Sequence, residues 1–308
     1  MSASAVLVIT NERDVGADFL IRELVSRRVR VVRLNAERAP DWSLTISPSG
    51  GWTARRGERR ITSQECVGVW WRRPEVPFLE GEAAEAIADQ WRAFLSALAH
   101  PAGPVWVSAP QNIRLAEDKM LQLRRARGAG LRVPSTIWTN DIVEARSFVD
   151  RCDGRAVAKS VASAWWEAAG QGRFVFASLL GSDELPTARR LGGAPVCFQQ
   201  PIWPKRDIRV TVVGETVLSA IRHTTAEEPL DWRLAADGPW APYALPRDVA
   251  EACADLVGGL GLRFGGIDLA RDESGEHWFL ELNPNGEWGW LQRAGLSIAE
   301  ALADVLLS

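Results

Sequence analysis

Two apolar runs near the C-terminus are each interrupted by oxygen-bearing side chains, and few folds tolerate that arrangement. Phe264-Gly-Gly-Ile-Asp-Leu-Ala270 carries Asp268 in mid-run, and Trp278-Phe-Leu-Glu-Leu-Asn283 carries Glu281 and Asn283. Both read as buried strands, and a turn through 271–277 makes them a hairpin. Side chains two apart on a strand share a face, so Glu281 and Asn283 point the same way and the hairpin brings Asp268 beside them. A carboxylate in an apolar strand is costly unless paired. Two carboxylates and an amide are hard oxygen ligands that suit Mg²⁺ and not zinc; a hairpin whose acids merely face solvent is the simpler alternative.

The chain has 308 residues, 46% of them hydrophobic, enough for two or three domains. A formal charge of −3 gives no general attraction to nucleic acid, so no nucleic-acid partner is expected. No run approaches the roughly 20 apolar residues of a membrane span, and the N-terminus lacks a basic leader before a long apolar stretch. A soluble, cytoplasmic protein with no membrane partner is the expectation. Cys66, Cys152, Cys197 and Cys253 are scattered without a Cys-x-x-Cys pair, so they read as reduced structural thiols. His100, His223 and His277 are equally dispersed, which argues against a histidine metal site. Of 36 Lys plus Arg, only Lys119, Lys159 and Lys205 are lysine. Where arginine has replaced lysine nearly everywhere, a retained ammonium points to a need for a compact charge, and phosphate binding is one such need.

The chain opens as a βαβ unit, with a strand at 5–10, a helix at 15–28 and a strand at 29–34. Asn11-Glu-Arg-Asp-Val-Gly16 replaces the glycine fingerprint of a dinucleotide site, so nucleotide is not expected in this unit. A hairpin near 44–55, a strand at 67–72, a helix at 82–98 and a strand at 105–107 complete it. The pattern then predicts a helix over 114–130, an extended segment to Trp138, and a helix through Arg151 capped by Thr139-Asn-Asp141. A strand ends at Lys159, a polar loop spans 161–172, and a strand follows at 173–177. From Pro195 on, strands at 196–200, 207–213, 216–222, 264–270 and 277–283, a helix at 247–261 and a last helix from Ser297 form a third unit.

Asn283-Pro-Asn-Gly-Glu-Trp-Gly-Trp290, directly after the acid-bearing strands, resembles the metal-binding end of the ATP-grasp superfamily. Its wording is similar to one branch, the ribosomal peptide maturases known as graspetide or microviridin-type ligases. Val69-Trp-Trp-Arg-Arg-Pro74, Thr139-Asn-Asp141 and Asp207-Ile-Arg-Val-Thr-Val-Val-Gly214 support the resemblance by their order. It implies a mixed α+β and α/β chain with an ATP-grasp fold: an N-terminal pre-ATP-grasp βαβ domain at 1–113, a central ATP-grasp subdomain at 114–198, and a C-terminal ATP-grasp subdomain with the metal site at 199–308.

By the same resemblance Lys119 and Lys159 contact ATP phosphates, where a solvated helix lysine and a snorkelling strand-end lysine are the plainer readings. The loop at 161–172 would cover those phosphates, although Trp165 and Trp166 stand where a backbone cradle is expected. Gln199, Gln200, Pro201 and Ile202 lie where relatives read adenine, with a plain edge strand as the alternative. Asp207 and Arg209, two apart on one strand face, would stand near the incoming nucleophile or ribose and on the phosphate or activated carboxylate; as an exposed ion pair they would contribute little. Arg233 is a second candidate anion clamp. Asp268, Glu281 and Asn283 would hold Mg²⁺ against the phosphates. Trp70, Trp71, Arg72 and Arg73 read as core and a domain-junction cap in preference to a nucleic-acid surface.

The activity implied is an ATP-dependent carboxylate ligase that forms ester or amide side-chain crosslinks in a ribosomally made precursor peptide, leader plus core, through an acylphosphate. ATP and Mg²⁺ are the implied cofactors, and a homodimer is an admissible assembly. A ligase for a free amino acid, small acid or protein tail, and a nucleotide- or leader-binding protein without turnover, remain as alternatives.

Overall fold

The computed structural model describes residues 4–49, 51–77, 80–81, 83–100, 103–162, 165–168, 171–174, 177–222 and 239–308, with backbone alone at 165–168, 171–174 and 188. The chain opens with β1 (Ala5–Thr10), α1 (Val15–Ser26), β2 (Arg30–Asn35), β3 (Ser43–Ser47), β4 (Gly51–Arg56), β5 (Arg59–Thr62), β6 (Cys66–Trp71), α2 (Ala84–Ala97) and β7 (Val105–Val107). Strand β1, apolar up to Thr10, is buried at every position, as an inner strand of a parallel sheet should be. That sheet runs β2-β1-β6-β7, and β3-β4-β5 form a separate antiparallel sheet.

Next come α3 (Pro110–Ala116), α4 (Lys119–Gly128), β8 (Thr136–Thr139), α5 (Ile142–Arg151), β9 (Arg155–Ser160), β10 (Trp165–Ala168), β11 (Gln171–Phe174), β12 (Ser178–Gly181), α6 (Ala188–Gly193) and β13 (Val196–Gln199). The single helix expected over 114–130 is two. Asp118 adopts an extended backbone and its side chain accepts from the Leu121 N–H at 3.0 Å, so the helix restarts at Lys119 because a capping carboxylate competes for the backbone. The loop expected at 161–172 contains strand β10 and the start of its partner β11; two adjacent tryptophans favour extended backbone.

The remainder is β14 (Lys205–Val213), β15 (Thr216–Arg222), β16 (Trp240–Pro242), α7 (Arg247–Gly259), β17 (Phe264–Asp272), β18 (His277–Asn283), α8 (Gly289–Arg293) and α9 (Ile298–Leu307). The central sheet has the order β12-β9-β13-β8 and the C-terminal sheet β16-β15-β14-β17-β18, each antiparallel throughout. The central sheet has its own small core around Phe148, Val149 and Phe198. The N- and C-terminal sheets share theirs: Ile9 and Val69 lie in one cluster with Ile208 and Ile267, while Val8 and Leu20 lie in another with Leu302 and Leu306. Thus α9 packs on α1, β6 and β7, and α4 packs on β18 and α7.

Candidate active site

The hairpin expected from sequence is present. Asp268 stands opposite Glu281 across β17 and β18, and Gly266 stands opposite Asn283, with the register shift falling after the acids, between Asp268 and Leu269. The three oxygen donors therefore share one face.

On the other side of β17, β14 sets Arg209 opposite Asp268. Arg209 Nη1 donates to Asp268 Oδ1 at 2.7 Å, and both side chains are nearly excluded from solvent. The guanidinium passes over two glycines: a Cβ on Gly266 would lie 2.5 Å from Arg209 Nη2 and one on Gly286 only 2.3 Å from it. Arg209 Nη2 also donates to the Glu287 carbonyl at 3.3 Å. Its Nε is buried with no hydrogen-bond partner among the described residues.

The chain's three lysines converge here. Lys119, at the first turn of α4, donates to Glu281 Oε2 at 3.2 Å and to the Leu282 carbonyl at 3.5 Å. Lys159 on β9 sits opposite Cys197 of β13 and donates to Gln199 Oε1 at 2.7 Å. Burial holds its pKa below the usual lysine range, Glu281 opposes that shift, and the charges of Lys119 and Lys205 add to it. A lysine of the central sheet is thus in the electrostatic reach of an acid on the C-terminal sheet, and we take the space between the two sheets as the candidate cleft. Cys197 opposite it is an inert thiol, pushed up to about 11 by burial.

Lys205 is the third lysine. It opens β14, its side chain is 6% exposed, and it pairs with Asp207. Burial raises the Asp207 pKa while Lys205 and Arg222 lower it and Asp268 raises it further, so these four charges form one group. Sequence reasoning passed over Arg222, buried at 2% exposure where β15 ends. An arginine closing a mostly apolar strand was the signal available. It also passed over Gln122, whose Nε2 donates to the Leu282 carbonyl at 2.8 Å while its Oε1 accepts from the Leu282 N–H at 3.0 Å. This amide satisfies both polar groups of one residue on an edge strand and ties Lys119's helix to the strand bearing Glu281. A glutamine between two leucines, three residues after Lys119, was its only mark.

Of the four residues expected around adenine, Gln199 is buried between Lys159 and Thr136, donating to Thr136 Oγ1 at 3.0 Å. The Gln200 N–H donates to the Ser135 carbonyl at 2.8 Å. Pro201 and the buried Ile202 follow, outside both sheets, on the segment joining β13 to β14. Arg233 lies outside the described residues. Among the described residues no cluster of three or more His, Cys, Asp or Glu could hold a metal; the donor set here is two carboxylates and an amide. Their hard oxygens, with Asp268 and Glu281 already facing cations, fit a divalent cation shared with an anionic ligand.

Neither a protein-family model nor a curated protein matches the chain. Solved structures do. The macrocyclase MdnB from Microcystis aeruginosa MRC is 28% identical, with 99% of each chain covered and a TM-score of 0.81. A RiPP-associated ATP-grasp ligase from Chryseobacterium gregarium, in complex with ADP and a leader and core peptide, is 25% identical over 98% of this chain and 96% of that one, with a TM-score of 0.88. The macrocyclase MdnC from Microcystis aeruginosa MRC, bound with precursor peptide MdnA, is 24% identical over 99% of both chains at a TM-score of 0.88. Two antiparallel sheets clasping a cleft of lysines and oxygen donors, and this likeness, define an ATP-grasp ligase. Among such ligases the chain resembles a macrocyclase and a RiPP-associated enzyme over nearly its whole length.

Proposed function

We propose that the protein activates a side-chain carboxylate of a ribosomally made precursor peptide with ATP and joins it to a hydroxyl or amine of the same peptide. The observation that carries the assignment of the cleft is the meeting of all three lysines with Arg209 and the Asp268, Glu281 and Asn283 hairpin. In this reading Lys119 and Lys159 hold phosphate oxygens, and the segment Gln199 to Ile202 receives adenine. Asp268, Glu281 and Asn283 hold Mg²⁺, which when bound neutralises phosphate charge.

A peptide carboxylate oxygen attacks the γ-phosphorus and ADP leaves. Arg209, fixed by Asp268, stabilises the charge on the phosphate in flight. The hydroxyl or amine then attacks the acyl carbon, inorganic phosphate leaves, and Asp207, whose pKa burial raises above the usual carboxylate range, takes the proton. Net loss is one water per bond, which mass spectrometry of the precursor peptide reads directly. The proposal retains units at 1–113, 114–198 and 199–308, a cytoplasmic location and an admissible homodimer, with Arg233 as a second anion clamp; no described helix is long and apolar enough to cross a membrane.

Acylation footprinting tests the nucleotide site. Saturating Mg²⁺-ATP should shield Lys119 and Lys159, while Lys205 should label poorly with or without nucleotide because it is buried against Asp207. Unchanged labelling of both Lys119 and Lys159 would remove the nucleotide from this cleft.

A pH dependence follows from Lys159. Its pKa is depressed by burial in the free protein, and a bound phosphate raises it. Above the free-state pKa, binding must take up a proton, so ATP affinity should fall as pH rises from there toward the usual lysine range. Calorimetry in buffers of different ionisation enthalpy should show proton uptake that Lys159→Arg abolishes; equal uptake in the variant assigns the proton elsewhere.

A further inference from the structure

Three consecutive carbonyls after Asn283 are gripped by arginines. The Asn285 carbonyl accepts from Arg72 Nη1 and from Arg73 Nε, the latter at 2.8 Å; the Gly286 carbonyl accepts from Arg72 Nη1 at 2.9 Å; the Glu287 carbonyl accepts from Arg209 Nη2 at 3.3 Å. Arg209 belongs to the site, but Arg72 and Arg73 come from the end of β6, in the N-terminal sheet. Arg72 is wholly buried, lies over the Trp70 ring, and has its charge met by Asp14 at 3.5 Å and Glu287 at 3.2 Å. Arg73 takes a left-handed backbone with φ of 43°, its carbonyl accepts from Asn11 Nδ2 at 2.8 Å, and its Nη1 pairs with Glu287. Neither arginine is placed on the nucleotide or the acids by this geometry.

The turn they hold is not an arbitrary one. The Asn285 N–H donates to Asn283 Oδ1 at 3.3 Å, and the Gly286 N–H donates to the Asn283 carbonyl at 3.0 Å. The peptide group on the far side of Asn285 is the one both arginines grip. We propose that Arg72 and Arg73 are positioning residues: by clamping the Asn285 and Gly286 carbonyls they fix the turn that aims the Asn283 amide oxygen, so that the N-terminal sheet sets the affinity of the cation site on the C-terminal sheet. The inference rests on the reading of Asn283 as a ligand. Partners that orient ligands commonly change metal affinity as much as some ligands do.

Arg73 is the better test position because its side chain is 38% exposed and its loss should leave the fold intact. The measurement is Mn²⁺ titration of the ADP-bound protein, followed through the free-ion EPR signal. Arg73→Gln should weaken Mn²⁺ binding on the order of tenfold, with ADP affinity in the presence of a chelator unchanged, and Arg73→Lys, which keeps a donor and the charge, should recover part of the loss. Arg72→Lys, which removes the fork that faces Asp14 and Glu287 while its Nη1 holds the carbonyls, should show a similar deficit. Combining Arg73→Gln with Asn283→Ala should weaken binding no more than Asn283→Ala alone, because both act through one ligand. If Asn283→Ala weakens Mn²⁺ binding and Arg73→Gln does not, or if the two losses multiply, the positioning role is overturned while the ligand reading stands. Unchanged Mn²⁺ binding in Asn283→Ala overturns both.

Discussion

Glu281→Ala is expected to leave a folded protein that forms no crosslink at ordinary Mg²⁺, a loss of about a thousandfold or more at roughly 1.4 kcal/mol per decade. Its Lys119 partner is 40% exposed and Glu281 itself 30%, so breaking this pair costs little stability, and the defect isolates chemistry from folding. Asp268→Ala should differ. Arg209 and Asp268 have side chains only 6% and 13% exposed, and removing one partner of a buried pair costs about 3–5 kcal/mol. Asp268→Ala should therefore lose both activity and thermal stability, while Asp268→Asn should keep more of the fold and still fail in ligation. Full product formation by the Glu281 variant would sink the metal assignment; equal stability losses at the two positions would contradict the burial difference.

The second large effect needs no change of charge. In Gly286→Ala the new methyl would lie 2.3 Å from Arg209 Nη2 and 3.2 Å from the Gly266 Cα. Gly286 is not among the left-handed residues, so alanine suits its backbone and the strain falls on the neighbour. The guanidinium is the far end of a flexible side chain and must swing away, separating it from Asp268. Overpacking of this kind costs about 1–3 kcal/mol, and a displaced transition-state cation lowers turnover about a hundredfold or more. ATP affinity should change little, matching Arg209→Ala, in which bond formation should suffer more than nucleotide binding. Wild-type ligation by Gly286→Ala would show that the placement of Arg209 over the glycine pair has no catalytic role.

Several errors of sequence reading share a cause. The helix over 114–130 divides because a single carboxylate, Asp118, caps a new start, and the apolar spacing on either side does not register the break. Lys205 follows a proline and looks like turn, yet β14 begins there because Asp207 and the β17 ladder give its ammonium and backbone partners. Helix α9 has an apolar sequence that says a face is buried but not against which sheet, and α4, rich in arginine, has no clear apolar face at all. Gln122 and Arg222 are single polar residues whose partners lie on other segments or across the sheet.

The donor hairpin was readable in advance because everything that builds it is local. A period of two puts Glu281 and Asn283 on one face, and a short connection brings Asp268 alongside; no distant contact is needed. The family likeness of the segment 283–290 is local in the same sense. What required the tertiary structure was convergence. Lys159 meets the field of Glu281 across more than a hundred residues of chain, Arg209 finds its slot between Gly266 and Gly286, and Arg72 and Arg73 reach the turn at 285 from another sheet. Propensity and periodicity describe a residue's own segment. Burial, charge and hydrogen-bond partners at this site are set by segments far apart in sequence, and only their packing decides them.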